Sequence, residues 1–260
     1  MLLLNILIPM AGAGSRFKSQ GYMIHKPILP IYSRHEKQNI PMVVEAVKDL
    51  PVDVNAEENK IFFIMRDFHF KSNVHKEIEL FFSNANFIKV DTLTEGQAST
   101  CLLAENLVEN EQQFLISACD NGIDVDTLKF QNVSDNADAI IFVFSQNPTV
   151  LKHPEAFGWV EANEDSVAKV SIKKPVSNNP ISDYAIVGTF WFKKASYFFE
   201  AAREMISEED KINGEYYVDQ VFKYLIASDY NIKVLEVDKY FSWGTPVDYE
   251  DYQKNILQKV

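Results

Sequence analysis

The chain has 260 residues, 47% of them hydrophobic and 24% charged, with a formal net charge of -12. That length can bury one large core, and the acidic balance excludes a nonspecific binder of nucleic acid or of anionic membranes. No run approaches the ~20 apolar residues of a membrane span, and five scattered histidines with only two cysteines give no zinc cluster.

The first element is an apolar run, Leu3 to Ile8, short enough for one buried strand. It lacks the basic region and cleavage site of a signal peptide. After Pro9 come Met10 and a loop of small residues, Ala11, Gly12, Ala13, Gly14 and Ser15, then Arg16 and, ten residues on, Lys26. Backbone N–H groups left free by such a loop form a concave anion site, and small side chains let a phosphate approach closely. It is not a dinucleotide fingerprint, because Phe17 stands where a third glycine is needed, and no Gly-Lys-Ser/Thr follows for a P-loop. A tight turn accounts for the glycines but leaves the two cations without a purpose, so a nucleoside triphosphate is the expected ligand.

Pro41 to Leu50 reads as a helix, Lys60 to Met65 as a strand, Phe68 to Asn84 as one long helix and Phe87 to Val90 as a short strand. Gln97 to Val108 reads as a helix. Thr94 and Gln97, where it starts, can read a base edge or merely cap that helix. Phe114 to Cys119 reads as a buried strand ending in a turn at Asp120-Asn121-Gly122, and Ala139 to Phe144 as another strand. Cys101 and Cys119 sit in apolar surroundings, as free thiols of a reducing cytoplasm do. Asp120, at the carboxyl end of its strand, stands where open α/β sheets place ligands, and an aspartate there can hold Mg²⁺.

Past Pro148 the strands shorten, to Gly158–Glu161, Val167–Ile172 and Tyr184–Phe192. Helices follow at Ala195–Ile206 and Glu215–Ala227, then a strand at Ile232–Val237 and a closing helix from Pro246. The alternation predicts an α/β fold with a mostly parallel mixed sheet flanked by helices. The change of texture divides one domain into a nucleotide-binding half, 1–147, and an acceptor-binding half, 148–260.

Taken together these stretches resemble the nucleotidyltransferase family that makes NDP-sugars and related activated metabolites. The resemblance runs through Pro9 to Phe17, Lys26-Pro27, Thr94-Glu95-Gly96-Gln97-Ala98 and Ser117 to Asn121. It continues through Ala156 to Val160, Lys173-Lys174-Pro175, Ala185 to Phe190, Gly214 to Asp219 and Trp243 to Pro246. It implies a GT-A-like, Rossmann-like fold of two lobes and attack of an acceptor phosphate on an NTP, with pyrophosphate leaving. It also implies that Arg16 and Lys26 are catalytic, in roles that can be exchanged. Residues Ala11 to Ser15, Thr94, Gly96, Gln97 and Ala98 would hold the nucleotide, Asp120 and Asp219 the Mg²⁺, and Gly158, Lys174, Gly188 and Glu215 the acceptor.

Two departures stand out. In sugar-1-phosphate enzymes of that family the second aspartate is expected one residue later than Asp219. Many carry a glutamate where this chain has Lys173, and a lysine cannot accept hydrogen bonds from sugar hydroxyls. The chain is also similar to the cytidylyltransferases of capsular phosphoramidate biosynthesis, whose nucleotide is CTP and whose acceptor is glutamine phosphate.

Overall fold

Leu4–Pro9 is a strand whose side chains alternate between two cores, Leu4, Ile6 and Ile8 entering one and Leu7 the other. A strand buried on both faces needs a nearly continuous apolar run; its one polar side chain, Asn5, is buried and donates to Gln112 Oε1 at 2.8 Å. The computed structural model describes residues 3–257. In it a nine-stranded sheet comprises β1 (Leu4–Pro9), β2 (Lys60–Arg66), β3 (Ala85–Val90), β4 (Gln113–Ile116), β5 (Ala139–Phe144), β6 (Gly158–Asn163), β7 (Ser166–Ile172), β8 (Tyr184–Phe192) and β9 (Ile232–Glu236). The spatial order is β3-β2-β1-β4-β8-β5-β9-β7-β6. β8 is antiparallel to both of its neighbours, β4 and β5, and β7 is antiparallel to β9 and β6. The remaining seven strands therefore run one way, and the sheet is mixed but mostly parallel.

Helices cover both faces. Met42–Lys48 and Val74–Glu79 pack on the face that receives Ile6 and Ile8, while Ala195–Ser207 and Val218–Ala227 pack on the face that receives Leu7. A third, smaller core of Phe17, Leu29, Ile31, Met42, Trp243, Tyr249 and Tyr252 ties the segment after the glycine loop to the closing helix Pro246–Leu257. No helix among the described residues is long and apolar enough to cross a membrane.

Four elements differ from the sequence expectation. The long helix at 68–84 is two, Asp67–Lys71 and Val74–Glu79, because Asn73 takes a left-handed conformation (φ 57°) that asparagine tolerates better than most residues. The helix from Gln97 is regular only to Cys101 and tightens to a 3₁₀ turn over Leu102–Leu107. The helix expected from Glu215 starts at Val218. Before it, Asn213 and Gly214, both at positive φ, turn the chain so that Ile212 and Glu215 exchange backbone hydrogen bonds.

The fourth difference lies closest to the chemistry. Strand β4 ends at Ile116, and Asp120-Asn121-Gly122 is not a turn. Asn121–Asp124 is a strand, paired antiparallel with Lys239–Ser242 in a two-stranded ribbon. A β-carbon on Gly122 would lie 2.6 Å from the Trp243 ring and 2.7 Å from Asp49 Oδ2. The glycine serves close packing there, not turning.

Candidate active site

Two cavities, of about 730 and 1220 Å³, open side by side at the carboxyl ends of the parallel strands, where α/β sheets place ligands. Arg16, Gln97, Ala118, Asp120 and Gly244 line both, so the two are lobes of one cleft that meet at Asp120.

The larger lobe is built on the glycine loop. Gly14 (φ 61°) starts the short helix Ser15–Ser19, and its carbonyl accepts from the amides of Phe17 and Lys18. Among the described residues, no protein acceptor takes a hydrogen bond from the backbone N–H groups of Ala11 through Arg16. They form the concave donor array that an anion requires. Phe17 is buried and fixes the helix, whereas Arg16 is exposed in the cleft and Lys26 stands across from Gly14. The opposite wall is aromatic, made by His25, Phe68 and His69. Burial holds the His69 ring down at about 4, and burial with the Lys18 charge lowers His25, so both rings are neutral at pH 7.

At the junction, Lys26 Nζ donates to Asp120 Oδ2 at 2.5 Å and to the Gly244 carbonyl at 3.0 Å. Burial pushes the Asp120 carboxyl up, but the charge and hydrogen bond of Lys26, helped by Arg16, outweigh it and hold the group below its ordinary range. Asp120 is therefore an ionised carboxylate with a cation already on it.

The smaller lobe lies beyond. Its lining includes Asp219, Gly158, Gly188, Lys173, Tyr217, Tyr240 and Ser242. Gly188 (φ 95°) sits in an irregularity of β8, where Ile186 pairs with Val143 and Phe190 with Ile141, so the strand bulges toward the cleft. Asp219 is buried at the start of Val218–Ala227, and burial, offset in part by the Lys173 charge, raises its carboxyl to about 6.

The other expected site residues fall in different places. Lys174 is exposed outside the cleft, and its carbonyl accepts from Ser171 Oγ. Of that pair Lys173 lines the cavity, its Nζ 2.8 Å from the Ala156 carbonyl and 5.1 Å from the centre of the Tyr217 ring. The left-handed backbone of Lys173 (φ 62°) turns consecutive side chains to different sides, which the spacing alone does not reveal. Thr94 is engaged within its own loop, to Thr100 Oγ1 at 2.5 Å and the Gly96 carbonyl at 3.2 Å. Gly96 and Ala98 hold that loop against Tyr216, whose carbonyl accepts from the Ala98 amide. Of this segment Gln97 alone lines the cleft, and Ala11 lies at the edge of the donor loop outside the lining. Glu215 lines the nucleotide-side lobe beside Gly12 and Lys26, not the lobe of Asp219.

A divalent cation fits this donor set. Asp120 and Asp219 both offer hard carboxylate oxygens to the same cavity, and among the described residues Asp219 is a buried acid without a hydrogen-bonded side-chain cation. Mg²⁺ takes one or two carboxylates and completes its shell with water and phosphate oxygens, so no preformed cage is needed.

No family model and no curated protein sequence matches this chain. Solved structures do. The nucleoside-diphosphate-sugar pyrophosphorylase from Vibrio cholerae RC9 is 22% identical with a TM-score of 0.77 over 96% of this chain and 99% of its own. A UDP-glucose pyrophosphorylase complexed with UDP-glucose is 18% identical, with a TM-score of 0.71 over the whole of both chains. The inositol-1-phosphate CTP transferase from T. maritima is 15% identical, with a TM-score of 0.66 over 100% of this chain and 98% of its own. The fold is thus that of the nucleotidyltransferases. Within it, this chain carries a free-amide loop, a Lys26–Asp120 pair and a second lobe lined by Lys173 and Asp219.

Proposed function

We propose that this protein is a nucleotidyltransferase of the EC 2.7.7 type, transferring a nucleotidyl group from a nucleoside triphosphate to the phosphate of a small acceptor and releasing pyrophosphate. The observation that carries the proposal is the placement of the Lys26–Asp120 pair where the two lobes meet. In this assignment the 1–147 half binds the triphosphate and the 148–260 half the acceptor.

The chain's own groups suffice for the steps that the reaction asks of a protein. The amides of Ala11 to Arg16 and the Arg16 guanidinium neutralise the leaving pyrophosphate. Lys26 holds the α-phosphate and the incoming oxygen in line. The acceptor phosphate is already anionic at pH 7, so no general base is needed, and alignment with charge neutralisation carries the rate. Gln97, with one donor and one acceptor face, reads the base. Asp120 and Asp219 would hold Mg²⁺, which when bound supplies further neutralisation of the phosphates.

CTP is our favoured nucleotide and glutamine phosphate our favoured acceptor, giving CDP-glutamine as an activated precursor for capsule modification in the cytoplasm. Lys173 in the acceptor lobe supports an acceptor that presents acceptor atoms rather than sugar hydroxyl donors alone. A sugar 1-phosphate acceptor is the second reading, favoured by the substrates named for the similar pyrophosphorylases. A nucleotide-binding regulator without turnover has less support, since binding alone does not need Asp120. The deciding experiment is a pyrophosphate-release screen of glutamine phosphate and several hexose 1-phosphates against CTP, UTP, dTTP, ATP and GTP with Mg²⁺. Release with CTP and glutamine phosphate supports the favoured case; release with no pair of substrates sinks transferase activity.

A further inference from the structure

The ribbon of Asn121–Asp124 and Lys239–Ser242 has two ends with different attachments. At the cleft end, Asp120 precedes one strand and Gly244 follows the other, and the Trp243 amide donates to the Asp120 carbonyl at 3.1 Å. Lys26 therefore takes one of its two acceptors from each side of the ribbon. The strands alternate faces: Tyr240 and Ser242 line the acceptor lobe, while Phe241 faces away.

Behind that other face is a buried ionic group that the transfer chemistry does not use. Arg34 stacks on Phe241, 4.2 Å from the ring centre, and contacts the Asp49 carboxylate. Arg34 Nη2 also donates to the Ile123 carbonyl at 3.2 Å, and its Nε lies 3.3 Å from Asp124 Oδ1. Asp49 Oδ2 accepts from the Ile123 amide at 3.1 Å, and its Oδ1 is 2.8 Å from His35 Nε2. Both backbone groups of Ile123 are thus held by side chains of one ion pair. Glu45 closes the group, accepting from the Arg34 amide at 2.8 Å.

Among the described residues, His35, Glu45 and Asp49 are the one set of three metal-capable side chains whose donor atoms cluster. The Arg34 guanidinium already supplies the cation there, its planar fork reaching two carboxylates, Nη2 that of Asp49 and Nη1 lying 3.6 Å from Glu45 Oε1. A buried ion pair is weak evidence for stability by itself and is better attested as a device that fixes geometry.

We infer that Arg34 and Asp49 are positioning residues that fix the ribbon and thereby set Asp120 and Gly244 around Lys26. The catalytic consequence rests on the proposed transferase activity; the mechanical one does not. A shift of about 1 Å at a reacting group costs about 100-fold in rate, so a loosened clamp acts on turnover before it acts on nucleotide binding.

The test uses the full chain with Asp49→Asn, Arg34→Met and Arg34→Lys, the last keeping charge but not the fork. Amide hydrogen exchange and steady-state pyrophosphate release are measured on each folded variant. We expect exchange at residues 119–124 and 239–244 to accelerate at least ~10-fold while the strands β1 and β2 stay protected. We expect kcat to fall ~10-fold or more with the KM for the nucleotide changed less than ~2-fold, and Arg34→Lys to recover part of the loss. Should Arg34→Met fail to fold, Asp49→Asn and Arg34→Lys carry the comparison. Wild-type exchange in the ribbon, or acceleration spread evenly over the sheet, overturns the clamp. Local acceleration in a protein that releases no pyrophosphate with any substrate supports the clamp and overturns the transferase proposal instead.

Discussion

The carboxylate of Asp219 lies so close to the Cα of Gly158 that a β-carbon there would stand 2.0 Å from Oδ2. Real β-carbons do not approach an oxygen that closely, so any side chain at 158 must expel the carboxylate or bend the start of β6. Gly158→Ala is therefore expected to raise the acceptor KM at least ~10-fold while leaving nucleotide binding within ~2-fold. Isothermal titration with the nucleotide and initial rates against acceptor concentration separate the two effects; an unchanged acceptor KM would remove Asp219 from that lobe's recognition.

The same carboxylate makes the free protein pH-sensitive. Its folded value, about 6, lies above the ordinary 3.8 because burial disfavours the charge. Below ~pH 4 it is protonated folded or unfolded and costs nothing; between ~pH 4 and about 6 the unfolded chain gives up the proton while the folded one keeps it, so stability falls across that window and levels off above it. Asp219→Asn should then stabilise the cation-free protein by roughly 2–3 kcal/mol at pH 7 and by nothing near pH 4. Urea melts at the two pH values read this directly. A constant difference would assign the effect to something other than ionisation.

Lys26 and Asp120 form one functional pair, so their losses should not add. Lys26→Ala and Asp120→Ala are each expected to lose at least ~100-fold in turnover while staying folded, and the double variant should lose much less than the product. Additive losses in a double-mutant cycle would mean the two act on separate steps.

Lys173→Met should raise the acceptor KM several-fold, whereas Lys174→Met should leave both kcat and KM at wild-type levels. Rates measured side by side on the two purified variants decide it. The distinction follows from placement alone, one ammonium in the cavity and its neighbour in solvent.

Gly96 takes φ 123°, and a β-carbon there would come within 2.5 Å of the Tyr216 backbone. Gly96→Ala is expected to destabilise by about 3 kcal/mol, from strain and from breaking the Glu95–Tyr216 and Ala98–Tyr216 backbone bonds. Thermal melting reports it. A variant as stable as wild type would show that this loop is held elsewhere.

Much of the fold was legible because buried parallel strands leave a nearly unbroken apolar signature, as Ala139 to Phe144 does and as Leu4 to Ile8 does apart from Asn5. The glycine loop and Lys26 were legible as well, since small residues followed by cations in an acidic chain have few structural uses. Backbone conformation hid the rest. Lys173 rather than Lys174 faces the cavity because Lys173 is left-handed, and position in a Lys-Lys pair carries no trace of that. The turn expected at Asp120-Asn121-Gly122 failed because composition cannot distinguish a turn glycine from one that makes room for Trp243. Asn213-Gly214 carries a readable hairpin signal, but the residues that follow it suit a helix equally well. Arg34 and Asp49 gave none: their partnership is set by the tertiary path of the Asn121–Asp124 strand.

The antiparallel strand Tyr184–Phe192 has a consequence for biosynthesis. It is the neighbour of Gln113–Ile116 on the side away from Leu4–Pro9, yet it lies some seventy residues later in the chain. A nascent chain that has emerged only through its first four sheet strands therefore exposes an apolar edge with unpaired N–H and C=O groups. That edge waits for translation of a further stretch before it is covered, which makes truncated products of this protein aggregation-prone and gives chaperones a defined surface to shield.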